Sequence, residues 1–402
     1  MNQSATVVST QEQPTDENPV ASKQQLFVKQ LIVLVLEMLL ALPLGLALAQ
    51  FHIGGIAWIF GGIAAGTIIL QGHRIFYKYS LKPNRTARKV GMALVGLTVG
   101  SSNANNDLVS LISGIPIFIF LTFFLLFCGS CIGYIYSRLS KINLLTAMLA
   151  TVPGGVGIMA SIAADYDRNV TLVALVQAIR VTSVVFLIPF IVRTTAGNDW
   201  NPQTQAITNN WLNVEPSQLG LLLVALLVTG LIVYLAILFK IPAGDFFGAL
   251  VIGIMFNPLL TWLPFVGDIH FSPPPFINIL GQMLLGITIG EYWGEKPTFG
   301  KRTVGYALMS VAMTLIAGAI AAFIAMQLTS WDWLTCLLVT APGGSAEMIL
   351  VSLALHHNVE IVTTGHLVRL LAINSSLPLW IFLFRRLDSQ LSHVILESET
   401  IN

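Results

Sequence analysis

Long apolar runs separated by short polar loops recur along the chain, six before a polar stretch at residues 194–217 and six after it. The first six cover roughly 26–50, 53–71, 87–100, 108–137, 143–165 and 168–193. The second six cover roughly 218–239, 243–264, 276–293, 303–328, 333–355 and 358–384. Most are long enough to cross a hydrocarbon layer as helices, which predicts an all-α polytopic membrane protein.

The two sets resemble each other. A shift of 189 positions lays 146–193 on 335–382 without a gap, and 12 of these 48 positions are identical. Shared positions include Thr151/Thr340, a Pro-Gly-Gly triplet, Met159/Met348, Asn169/Asn358, Arg180/Arg369 and Pro189/Pro378. Upstream, "GMALVGLTVG" from Gly91 matches "GQMLLGITIG" from Gly281. "FGGIAAG" against "FGALVIG" is a weaker match in the right order. Two homologous repeats are expected.

Charge then orients the segments. The loop "GHRIFYKYSLKPNRTARK" carries six Lys/Arg, and "SRLSK", "EKPTFGKR" and "FRRLD" are basic too, which places them in the cytoplasm. The central stretch "AGNDWNPQTQAITNNW" carries none and belongs outside. All basic loops fall inside only if segments five and eleven dip in and return. Each repeat would then make about five crossings plus one broken segment, and the second repeat would be inverted.

Those two segments contain "TVPGGVGIM" and "TAPGGSAEM". Pro-Gly-Gly ends a helix. Broken backbone at membrane depth is tolerated only inside protein or beside a wet cavity. Paired broken helices in inverted repeats point to a transporter whose substrate site lies at the breaks, here Pro153, Gly154, Gly155, Pro342, Gly343 and Gly344. A packing kink is the plainer alternative.

Arg180 and Arg369 lie mid-segment, where a charge costs about 2.5–3.5 kcal/mol on insertion scales. They could hold an anionic substrate through the guanidinium fork, or neutralise the carbonyl end of a half-helix. Gln177 and His366 lie three residues earlier, on the same helical face. Glu347, opposite Ile158 in the other repeat, is the ion-coupling candidate, or else a cap on the following half-helix. Glu37 in segment one could be a gate or an interhelical hydrogen bonder.

Composition agrees with this outline: of 402 residues, 55% are hydrophobic and 10% charged, against about 25% charged in soluble domains. Cys128 and Cys131 lie in "LLFCGSCIGY", which reads as small-residue helix packing. His356, His357 and Glu360 form a poor ligand set, read as solvated loop, so no metal site and no cofactor are expected. No GxxxxGK[ST] loop is present, which argues against ATP-driven transport, and no basic soluble domain suggests nucleic acid. No enzyme activity is expected. The domains expected are a disordered cytosolic tail (1–25), repeat 1 (26–193), an external linker (194–217), repeat 2 (218–384) and a cytosolic tail (385–402).

The series "TVPGGVGIM…NV…QAIRV…P" and "TAPGGSAEM…NV…HLVRL…P" resembles the bacterial AbrB-type membrane protein family, with its domain duplicated. The resemblance covers nearly everything after residue 25. It implies an inner-membrane protein, and some members carry labels of ammonia monooxygenase or of regulators of another gene. The family shares a name, not a fold, with the soluble AbrB DNA-binding regulators. Its broader likeness to cation/proton antiporters and bile-acid symporters implies broken helices that cross at the two Pro-Gly-Gly triplets. The monooxygenase label lacks a copper- or iron-grade histidine cluster here. The expected function is secondary transport or exchange of a small solute, with preference for an organic anion, by alternating access. A membrane sensor acting on gene expression through a partner is the alternative. Expected partners are the lipid bilayer, a small-molecule or ion substrate and a second copy in a homodimer.

Overall fold

The computed structural model describes residues 19–50, 56–77, 83–102, 114–195, 216–239, 241, 243–262, 270–294, 300–355 and 357–400. Residues 1–18 of the expected N-terminal tail, 196–215 of the expected linker, and His356 lie outside the described residues. The described chain is all-helical. In order the helices are α1 (Pro19–Ala49), α2 (Ala57–Tyr77), α3 (Arg85–Ser102), α4 (Ile115–Ser140), α5 (Leu144–Thr151), α6 (Val156–Asp165) and α7 (Val170–Thr195). Then follow α8 (Pro216–Leu238), α9 (Gly244–Thr261), α10 (Pro275–Gly294), α11 (Lys301–Leu328), α12 (Trp333–Thr340), α13 (Ser345–Ala354) and α14 (Val359–Thr400).

Among the described residues eight helices are long and apolar enough to cross a membrane: α1, α2, α4, α7, α8, α9, α11 and α14. Two of the crossings expected from sequence, α3 and α10, are not among them. Helix α3 begins with the basic "RTARK", and α10 carries Asn278, Gln282 and Glu291. Both lie inside the bundle, with Leu94–Gly100 and 281–291 buried throughout. A helix walled in by other helices needs less hydropathy than one facing lipid.

The helices sort into two bundles. In the first, α2 packs on α10, α3 on α9, and α3 on α10, with α1 and α8 on the flanks. Glycine sets the spacing there. A side chain at Gly66 or Gly290 would meet the backbone of the facing helix, and so would one at Gly96 or Gly253. These are the close approaches that small residues permit between membrane helices. In the second bundle α4 packs on α11, while α7 and α14 embrace the short helices α5, α6, α12 and α13. The main helix contacts between the bundles are α3 with α13 and α7 with α10. Phe60 stacks on Phe186, ring centroids 4.4 Å apart, and Trp293 Nε1 donates to Thr182 Oγ1 at 3.0 Å.

The short helices form two hairpins. Asp332, before α12, meets the residues that follow α13: its Oδ2 lies 2.7 Å from His357 Nε2, and its Oδ1 accepts from Asn358 Nδ2 at 3.1 Å. A segment running straight through would hold those residues more than 20 Å apart at about 1.5 Å per residue. At the other hairpin Asn143 and Thr146 share a cavity of about 270 Å³ with Asp167 and Asn169. Both Pro-Gly-Gly segments therefore turn back on themselves.

Candidate site at the hairpin tips

Each hairpin begins with a capped helix. The Asn143 side chain accepts from the amides of Leu145 and Thr146, and that of Asp332 from Leu334 and Thr335. Each first helix stops because a residue before proline is pushed into extended backbone. Val152 has ψ 134° and Ala341 ψ 128°. Thr151 Oγ1 ties the first tip to Gly129 O at 2.9 Å, and Thr340 Oγ1 ties the second to Gly318 O at 3.0 Å. Small residues around the Cys128–Cys131 pair thus seat a hairpin, and the two cysteines are free. Met159 folds over Gly154, and Met348 over Gly343.

The two arginines serve the carbonyl ends of the first half-helices. Arg180 Nη1 donates to Thr151 O (3.1 Å) and Val152 O (3.3 Å), and Nη2 to Gln177 Oε1 (2.6 Å). Gln177 Nε2 in turn donates to Leu149 O and Val152 O. Arg369 Nη1 donates to Ala341 O (2.8 Å), and Nη2 to Gly343 O (3.2 Å) and His366 Nδ1 (2.8 Å). The Leu338 carbonyl, 3.0 Å from His366 Nε2, can only accept. The proton is therefore assigned to Nε2, and Nδ1 is left to accept from Arg369. Gln177, Arg180, His366 and Arg369 are all buried, and Arg180 lies within reach of the charge of Arg369. These contacts carry the structural role considered from sequence. The forks already hold backbone oxygens.

The tips differ in what surrounds them. At the first, Gly155 has φ +83°, the only positive value among the described glycines. Helix α6 presents Gly157, Ser161 and Asp165 on an exposed face. At the second, Ala346–Ser352 of α13 are buried without exception, and α13 packs against α3. Glu347 Oε1 lies 3.5 Å from Arg88 Nη2, while Glu347 Oε2 is buried without a hydrogen-bond partner and crowds Gly344.

Arg88 is the site residue that sequence reading missed, because its place in the basic run "RTARK" reads as a topology signal. Glu37 is fully buried with neither carboxyl oxygen hydrogen-bonded, and it lies within reach of the charge of Glu291. It is remote in sequence and fold from the hairpins, on α1 of the other bundle. Among the described residues no group of three metal-ligating side chains occurs. His357 lies in the Asp332 cluster at the open end of the second hairpin, where the carboxylate is held below its usual range. Burial raises it, but hydrogen bonds from Thr335 and His357 outweigh that.

Eight apolar spans around two broken hairpins define a multi-pass helical membrane protein. Residues 58–385 match the family described as "Transition state regulatory protein AbrB", and the chain belongs to this AbrB family. It is 24% identical over 343 residues to "Putative regulator AbrB" of Escherichia coli (strain K12), covering 83% of this chain and 91% of that one. It is 27% identical over 250 residues to "Uncharacterized protein YhjN" of Bacillus subtilis (strain 168). That match covers 61% of this chain and 65% of the relative.

Proposed function

We propose that the chain is a secondary transporter or exchanger of the bacterial inner membrane, built from two inverted repeats and working by alternating access around the hairpin tips. The observation that carries this reading is the unequal fit of the two hairpins against the first bundle. At positions related by the internal repeat, α13 is closed on α3 while α6 leaves Gly157, Ser161 and Asp165 open. On this reading the molecule has a second state in which the roles of the two hairpins exchange. The paired bonds Thr151–Gly129 and Thr340–Gly318, and the paired arginines on half-helix carbonyls, support the duplication.

The substrate favoured is a small organic anion. Arg180, Arg369 and Arg88 against Glu347 leave the tips net positive, although the arginine forks are engaged. Substrate contact would fall to the backbone and side chains of the Pro-Gly-Gly tips, with the arginines supplying field more than hydrogen bonds.

Purified protein is to be screened by thermal shift against small carboxylates, amines and metal ions, and each hit tested for counterflow in proteoliposomes. Counterflow of a carboxylate is expected. A folded protein that exchanges none of its stabilising ligands would overturn the reading. Binding without counterflow would instead favour a sensor acting through a partner, in keeping with the names that speak of regulation.

A further inference from the structure

We infer that Arg88 is a built-in counter-cation of Glu347, and that a monovalent cation takes its place on the carboxylate when the two bundles part. The inference rests on the transporter reading above and names its coupling ion as one positive charge, a proton or a sodium-type ion.

The geometry is that of a weak, breakable pair. Arg88 belongs to the first bundle and Glu347 to the second hairpin of the other, so relative motion of the bundles must pull them apart. Their closest approach, 3.5 Å, is longer than a charge-assisted hydrogen bond of about 2.7–2.9 Å. Only one carboxylate oxygen is engaged, and the other, Oε2, is buried with no hydrogen-bond partner. The Glu347 side chain is 5% exposed and that of Arg88 24%, so the acid is the more deeply enclosed of the two. Arg88 also has somewhere to stay: Nη1 donates to Tyr292 OH at 3.4 Å, and the charge of Asp245 acts on it.

The other charged and titratable groups near α13 do not substitute. Arg180 on α7 and Arg369 on α14 hold the carbonyls of the hairpin tips, and His366 is fixed between Arg369 and Leu338. Once Arg88 leaves, a buried carboxylate stands without a counter-charge, which a low-dielectric site does not tolerate. A proton or small cation on Oε1 and Oε2 restores neutrality. One positive charge departs as another arrives, so the pocket has the same net charge in both states. In the first repeat the position of Glu347 is Ile158, so only one of the two tips carries such a site.

The test uses the full-length protein in lipid nanodiscs and needs no transport. Its failure is therefore distinct from a failure of the transporter reading, which counterflow decides. Melting temperature is followed against NaCl at constant ionic strength (choline chloride making up the balance), and separately against pH. In Arg88→Gln, Glu347 has lost its internal competitor. The Na⁺ concentration giving half the stabilisation should fall at least about tenfold from the wild type. If the ion is a proton, a pH dependence of melting should emerge that Na⁺ does not alter. Either response should vanish in Arg88→Gln/Glu347→Gln. Should Arg88→Gln not fold, Arg88→Lys keeps the charge without the fork and should shift the response in the same direction by about threefold. Unchanged Na⁺ and pH responses on removing or weakening Arg88, or a response that survives without Glu347, overturn the inference.

Discussion

At the scale of single residues, both buried arginines donate to backbone carbonyls of their own hairpins. Both were legible as charges that needed a reason, but sequence could not choose between a ligand and a half-helix end. That choice depended on which carbonyls lay within reach, and the hairpin fold alone brings Thr151 O and Ala341 O to them. A charge-assisted hydrogen bond contributes about 1.5–3 kcal/mol, and Arg369 donates two to carbonyls. Arg369→Ala should therefore lower the melting temperature by several degrees with or without ligand, and Arg369→Lys should recover part of the loss. A variant as stable as the wild type, but unable to bind the stabilising anion, would return the arginine to the substrate.

Asp332 gives a pH dependence of definite sign. Its folded carboxylate is held below the ordinary range, chiefly by hydrogen bonds from Thr335 and His357 acting against burial. A lowered folded value means that the contribution is present above the unfolded pKa of about 4, and is lost as pH falls through the folded value. Asp332→Asn keeps the cap oxygen for Leu334 and Thr335 but removes the charge. It should flatten the loss of melting temperature below about pH 4 relative to the wild type. An acid limb of unchanged steepness would show that the Asp332 charge does not contribute.

At the scale of elements, the twelve apolar segments and the two hairpins could be read from hydropathy, proline-glycine chemistry and loop charge. What could not be read was that the middle of α3 and of α10 is enclosed by other helices, because burial by neighbours leaves no mark on a single segment. Nor could sequence show that two matching glycines do different things. Gly155 supplies a positive φ, and a side chain there would meet nothing within 4 Å. Gly344 has φ −72°, and a side chain there would strike the Glu347 carboxylate. Gly155→Ala should cost about 1–3 kcal/mol through backbone strain alone, and should add simply to Glu347→Ala. Gly344→Ala should be partly rescued by Glu347→Ala, a coupling of at least about 0.5 kcal/mol in a double-mutant cycle of melting data. Additive behaviour at Gly344 would mean that the carboxylate has room to move aside.

At the scale of the whole molecule, the bundles touch mainly through α3–α13 and α7–α10. This partition could not be read from the sequence, since each bundle takes helices from both halves of the chain. Adjacent segments in sequence, such as α3 and α4, belong to different bundles. The closed α3–α13 contact and the exposed face of α6 are the features on which the proposed alternating access rests. Gly157 lies on the open face of α6, and a side chain there meets nothing within 4 Å, so a cysteine fits. In a background lacking Cys128, Cys131 and Cys336, Gly157→Cys can be exposed to a membrane-impermeant maleimide in right-side-out and in everted vesicles. Alternating access around the hairpin tips requires labelling from both faces, with one rate rising as a stabilising ligand lowers the other. Labelling from one face alone, at a rate that no ligand changes, would contradict it.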